Sequence, residues 1–334
     1  MPEETKPEAP PAAPPTATTP GPTAGPAPGS PSDFLGSIFY GPEGVRSGWR
    51  LLVYLMLGSA CSIVLFRLLG RGGAEEDHPA IATLFSDGLL FVCALIPALI
   101  MGVAERRSLA HYGLPWRKAL GANFWKGMLW GVASLTILLL TIAALGGFSF
   151  GRLQLHGERI VVFALAWFAA YLAVALFEEF FLRGYTQFTL TSGLGFWPAA
   201  VVTSLAFGAL HVGNKGESPV GAVAAACIGF FFVVTLRRTG DLWFAIGFHC
   251  AWDWGESYLF GVANSGIRSP GHLLSSTLNG PNWLTGGSVG PEGSLLVFVL
   301  IAGLILLFER THSRAMYPLP DRPGTDPAPV NVKI

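Results

Sequence analysis

Apolar residues fall into eight long stretches, at 50–70, 80–104, 127–148, 160–183, 195–213, 219–237, 241–261 and 293–309. Each approaches the roughly 20 residues that a helix needs to cross a bilayer. The pattern predicts an all-α, polytopic membrane protein with about eight transmembrane helices. Between the second and third stretches lies ERRSLAHYGLPWRKALGANFWKG (105–127), basic and mildly amphipathic, which reads as an interfacial loop or short surface helix. The stretch 262–292, rich in Gly, Ser, Pro and Asn, reads as an irregular loop outside the membrane. Residues 1–32 hold eleven prolines and no large apolar residue beyond Met1, so they predict a disordered tail, and 313–334 read the same way. This leaves a membrane domain over 33–312.

Composition strengthens the membrane reading. Only 13% of residues are charged and 51% are hydrophobic, with a mean hydropathy of +0.50, whereas a soluble chain carries about a quarter charged residues. The net charge of zero gives no reason to expect a nucleic-acid partner. Cys61, Cys93, Cys227 and Cys250 are scattered through apolar segments without CxxC spacing and read as reduced, packed thiols. An N-terminus on the cytoplasmic side would place fifteen Lys and Arg in or beside cytoplasmic segments. It would leave Arg67, Arg71, Arg152, Arg159, Lys215 and Arg268 on the other side. That bias favours a protein of the cytoplasmic membrane with both termini in the cytoplasm.

A few charges break the apolar stretches. An ionisable residue at mid-membrane costs about 2.5–3.5 kcal/mol on insertion scales, so each needs a partner or a task. In FEEFFLRG (177–184), Glu179 and Arg183 are one helical turn apart and can pair, while Glu178 points elsewhere with no local cation. If the fourth helix runs on to a turn near residue 193, Glu178 lies about 15 residues before that turn and His211 about 18 after it. At about 1.5 Å per residue, the two reach similar depth across an antiparallel pair. In DLWFAIGFHCAWDWGESYLF, His249, Asp253 and Glu256 recur along one face, the mark of a polar intramembrane cavity. Asp87 alone in the second span reads as structural, Glu256 as reaching water at its helix end, and Arg152, His156 and Arg159 as a solvated edge.

Glu178, His211, His249 and Asp253 therefore form the candidate catalytic set, with Glu179 and Arg183 as its supporting ion pair. Glu178 as general base with His211 would activate a water. His249 and Asp253 would flank a developing oxyanion, given a donor hydrogen. A divalent cation such as zinc, held by Glu178, His211 and His249, would also activate that water. The HExxH spacing of many zinc peptidases is absent, and the residues leave metal-dependent and metal-free chemistry equally open.

EEFFLR (178–183), FGALH (207–211) and HCAWD (249–253) fit EExxxR, FxxxH and HxxxN/D. In this order on membrane helices they resemble the CPBP family, the CAAX prenyl proteases and bacteriocin-processing enzymes also called Abi, over about 160–260. The resemblance implies an eight-helix intramembrane protease that cuts near a peptide C-terminus or removes leader peptides. Its substrate would be a peptide or protein with an apolar or lipidated segment, met in the lipid bilayer. It also implies that Glu178 is the water-activating base, His211 a second water or metal contact, and His249 with Asp253 the oxyanion or metal-side pair. Asp253 stands where eukaryotic CAAX proteases carry asparagine. An ionised aspartate repels an oxyanion, which shifts its expected role towards orienting His249 or binding metal. Two other classes fit intramembrane charges: a proton- or ion-coupled transporter, and a non-catalytic scaffold or immunity factor. Neither inverted repeats nor matching broken spans in two halves are visible in the sequence.

Overall fold

The computed structural model describes residues 36–41, 44–70 and 78–318 of the 334. The predicted N-terminal tail (1–32) and residues 319–334 of the C-terminal one lie outside the described residues. The chain divides into two units, one ending at Val45 and the other beginning at Arg46. In the first, β1 (Tyr40–Gly41) pairs antiparallel with β2 (Gly44–Val45). The second unit carries the long helices.

That unit is mostly helical. Its long apolar runs become α1 (Ser47–Leu69), α2 (Pro79–Glu105), α3 (Ala122–Ala144), α4 (Glu158–Phe181), α5 (Gln187–Leu194), α6 (Phe196–His211), α7 (Pro219–Thr239), α8 (Trp243–Trp254) and α9 (Leu296–Thr311). The ends obey local chemistry. Pro79 and Pro219 open α2 and α7, where a missing N–H costs nothing, and Ser218 Oγ accepts the Gly221 N–H to cap α7. Gly195 (φ +83°) makes the break between α5 and α6, at the turn expected near residue 193. A π-helical turn, Leu182–Thr186, joins α4 to α5 across a kink at Gly184 (φ −81°, ψ −121°), and 158–194 remain one continuous apolar stretch. A second π-turn, Gly255–Phe260, extends α8.

Five of these helical stretches are long and apolar enough to cross a membrane: Ser47–Leu69, Pro79–Glu105, Ala122–Ala144, Glu158–Leu194 and Pro219–Thr239. They make this an integral membrane protein, but they are fewer than the eight expected spans. The three remaining candidates are shorter: α6 and α9 have 16 residues each and α8 has 12 before its π-turn. At about 1.5 Å per residue, 16 residues reach about 24 Å, short of a hydrocarbon core of about 30 Å.

The pairs α3–α8, α2–α4 and α6–α7 pack most closely. α8 is the axis of the bundle, with every residue from Trp243 to Asp253 buried. A helix enclosed on all sides tolerates apolar residues all round, which is why its sequence has no polar stripe except the site itself. α3 approaches it through Gly127 and Gly131, spaced as in small-residue membrane interfaces, against Gly247 of α8. A Cβ on Gly127 would stand 2.1 Å from the Phe244 carbonyl oxygen, and one on Gly247 2.1 Å from that of Phe124. Both neighbours are helix backbone and cannot swing aside. Gly127→Val is therefore expected to force α3 off α8, with a loss of about 1–3 kcal/mol or more, read as a lower melting temperature in detergent. Gly303, with open space around its Cβ position, is the control that leaves melting unchanged.

The polar connections are ordered. The 105–127 stretch holds two short 3-10 turns, Leu109–Tyr112 and Trp116–Lys118, instead of one surface helix. The 262–292 loop folds over one end of the bundle. There β4 (Ala263–Asn264) pairs with β5 (Ile267–Arg268), and β6 (Thr277–Leu278) with β3 (Phe148–Ser149). Val289 within it is fully buried. The four cysteines are free thiols.

Candidate active site

The loop and the helix ends beneath it enclose a cavity of about 410 Å³. Glu178 from α4, His211 from the end of α6, and His249 and Asp253 from α8 all line it, so the four residues of the candidate set share one cavity. They do not meet equally. His249 is the hub: its Nε2 lies 3.6 Å from Glu178 Oε2 and 3.4 Å from Asp253 Oδ2. The i, i+4 spacing on α8 accounts for the second contact. His211 stands apart from this group, its Nδ1 2.9 Å from the Phe207 carbonyl one turn back, which leaves Nε2 for the cavity.

The supporting pair does more than neutralise itself. Arg183 Nη1 donates to Glu179 Oε1 at 3.2 Å, and the same oxygen lies 3.0 Å from His249 Nδ1. Because a carboxylate only accepts, Nδ1 carries the hydrogen. Glu179 thereby fixes the histidine's tautomer and tilt, and Nε2 is the atom turned to the cavity. Nε2 sits between two carboxyl groups, an arrangement that is attractive when a proton lies on Nε2 or on one of those oxygens. The Phe232 ring stacks on His249 at 5.7 Å and 20° and closes its other face.

Arg183 and Glu179 are both fully buried. The guanidinium lies over the Phe207 ring at 4.2 Å and near Phe232 at 5.8 Å, and the ring faces help hold the charge out of water. Gly229 of α7 makes room for it, since a Cβ there would stand 2.4 Å from Arg183 Nη2. Both features explain residues that the sequence left unassigned. Phe207 is the phenylalanine of FGALH, and its work is to carry Arg183. Gly229→Ala is accordingly expected to lower the melting temperature, because the guanidinium it displaces is tied to Glu179.

Other wall residues were not legible as such. Asp87, read as structural, lines the same cavity, with Oδ2 accepting from Ser86 Oγ at 3.1 Å. Glu292 and Asn264 reach it from the loop, and Glu292 Oε1 accepts the Ser265 backbone N–H. Desolvation, with Asp253 nearby, pushes the Glu292 carboxyl from 4.5 up to about 7. A carboxyl raised in the folded state stabilises it below the ordinary value and loses that contribution as pH climbs through the raised one. Stability is thus expected to fall between pH 4.5 and 7, and Glu292→Gln to flatten that slope in melting curves taken across the range. Glu256 reverses an expectation. Far from reaching water, it is fully buried in the π-turn after α8, and neither carboxylate oxygen has a hydrogen-bond partner among the described residues. The loop folded over that helix end encloses it.

A metal site was one option for this donor set. Among the described residues, no group of three or more His, Cys, Asp or Glu side chains is arranged to hold a metal ion. Glu179 holds His249 Nδ1 and a main-chain carbonyl holds His211 Nδ1, contacts that leave each Nε2 free as a lone-pair donor. His211 nevertheless stands apart from Glu178 and His249, and the three are not gathered as a metal-binding group.

Residues 160–255 match the family model described as Type II CAAX prenyl endopeptidase Rce1-like. The match takes in all three motifs and agrees with the CPBP resemblance they carry. Comparison with curated proteins and with solved structures finds no match. The family is one of CAAX-type peptide hydrolases, and the substrate class it points to is a peptide or protein.

Proposed function

We propose that this chain is an intramembrane endopeptidase in which Glu178 takes a proton from a water held against His211. The hydroxide oxygen adds to the scissile carbonyl carbon, and the carbonyl π pair moves onto oxygen. His249, through a proton on Nε2, donates to that oxyanion, while Asp253 and Glu179 hold the imidazole from two sides. Collapse of the tetrahedral intermediate re-forms the carbonyl and breaks the C–N bond. The amine leaves with the proton that Glu178 had taken. Oxyanion stabilisation of this kind is worth about 10²–10³ in rate and general-base catalysis about 10²–10⁴.

One observation carries the reading: Glu178 and Asp253 converge on His249 Nε2, at 3.6 and 3.4 Å, in a cavity inside a bundle of apolar helices. A water-excluding site strengthens each of these electrostatic contacts. In this proposal α6, α8 with its π-turn, and α9 also lie within the membrane and complete eight spans. Both termini face the cytoplasm, and the substrate is a prenylated CAAX-like or leader peptide met in the bilayer.

The test is proteolysis by purified protein in liposomes, on prenylated C-terminal peptides and leader peptides, with and without a chelator. Wild type is expected to cleave at least one peptide, to keep its turnover in chelator, and to keep most of it in Asp253→Asn, whose amide still contacts His249. Turnover lost to chelator and restored by zinc would overturn the metal-free order of events. Absence of cleavage on every peptide would sink the peptidase reading in favour of a scaffold.

A further inference from the structure

Among the described residues lining the cavity, Asp87, Glu178, Asp253 and Glu292 are acidic, and Arg268 is the single Lys or Arg. Arg268 belongs to β5, on the loop that forms the cavity's rim. Its Nε donates to the Gly261 carbonyl at 3.2 Å and its Nη2 to the Ser276 carbonyl at 3.0 Å. Two main-chain acceptors from different loop segments therefore fix the guanidinium plane. No carboxylate of the described residues lies within 4 Å of it. A guanidinium has five N–H donors, and the edge formed by Nη1 and the second Nη2 hydrogen has no partner among those described. That end-on edge presents two parallel N–H donors, a fork that can grip a carboxylate bidentately.

The rim is also locked to the helix that carries Glu178. Trp167 Nε1 of α4 donates to the Pro270 carbonyl at 3.0 Å, and Tyr171 Oη lies 3.3 Å from Ser269 Oγ. Those anchors are the two residues after Arg268. Tyr171 is also seven residues, two turns, before Glu178 on the same helix. Arg268 is thereby held by the helix that carries the proposed base, and Asp87, Glu178, Asp253 and Glu292 on the same lining disfavour an anion beside them.

We propose that Arg268 binds the free C-terminal carboxylate of the peptide substrate and so positions the scissile bond at Glu178. It is a specificity-determining residue, and the proposal rests on the peptidase reading above. The shared chemistry, a carboxylate or phosphate at a fixed guanidinium, has a second source in anionic lipid headgroups, and the experiment separates the two.

One lipidated peptide is made as the C-terminal acid and as the C-terminal amide. Binding of each is measured to full-length protein carrying Glu178→Gln in phosphatidylcholine nanodiscs, where no turnover intervenes. The acid is expected to bind about tenfold tighter or more, as for a charge-assisted pair. Adding Arg268→Gln is expected to level the two, and Arg268→Lys to restore part of the preference. Equal binding of acid and amide before any change at Arg268 overturns the proposal, and that arm needs no variant at Arg268 to fold. So does a preference that survives Arg268→Gln. If the acid preference is absent while phosphatidylglycerol retention is lost in Arg268→Gln, the anion is a headgroup and the peptide-terminus proposal falls. Acid preference in binding, with neither peptide cleaved by wild type, sinks the peptidase reading alone. Cleavage of both with equal efficiency sinks the Arg268 proposal alone.

Discussion

Glu178→Gln is expected to lower peptide cleavage about 10³-fold or more while the protein keeps its melting temperature and its substrate binding. The amide preserves the volume and the contact with His249 but cannot accept a proton from water, so the loss falls on the chemical step. A general base alone is worth about 10²–10⁴, and the whole step depends on it here. The comparison that discriminates is with His211→Gln, which keeps a polar contact for the water and should lose less. Because Glu178 is not one end of the Arg183 pair, and Glu179 and Asp253 remain beside His249, its neutralisation leaves the Glu179–Arg183 pair intact. Unchanged turnover in Glu178→Gln would remove it from the chemistry.

The second large effect belongs to the ion pair beneath the site. Arg183→Met is expected to destabilise the fold by about 3–5 kcal/mol, since Glu179 would remain buried without its cation. Glu179→Leu with Arg183→Met removes both charges, and replacing such a pair by apolar groups is often neutral for stability. The double variant should therefore regain most of the melting temperature and still lose about 10²-fold or more in turnover, because His249 Nδ1 no longer has its acceptor at 3.0 Å. A double variant that recovered stability and full turnover together would reduce Glu179 and Arg183 to packing. The split between melting temperature and rate is what tells positioning from structure.

The membrane character of this chain, its helix order and its motif residues were all open to reading along the sequence, because each depends on local facts. Apolar runs of the right length report helices in a medium that cannot satisfy a bare backbone. The pair at 179 and 183 and the pair at 249 and 253 are one turn apart whatever the rest of the fold does. The break between α5 and α6 near residue 193 follows likewise from a glycine that takes a positive φ at 195. Helix length is less local. α8 carries only 12 regular residues because the π-turn Gly255–Phe260 takes up most of the rest of its apolar stretch, and no window of composition shows that.

Tertiary structure decided which of the charges share a wall. That Glu179 serves His249 as well as Arg183 requires α4 and α8 to lie side by side, and the glycines at 127, 131 and 247 set the depth of α8 in the bundle. Glu256 looked free to reach water because a helix end usually does, and it is enclosed because the loop 262–292 folds back over it. Arg268 and Glu292, near the two ends of that loop, reach the cavity for the same reason. A sequence displays periodicity within one element at a glance, whereas contacts between elements separated by 50 or 100 residues depend on packing choices that single positions do not encode. The chemistry was therefore written locally, as residue types at helical spacing. The site, as a place with a rim, a hub and a wall, exists only once the bundle has closed.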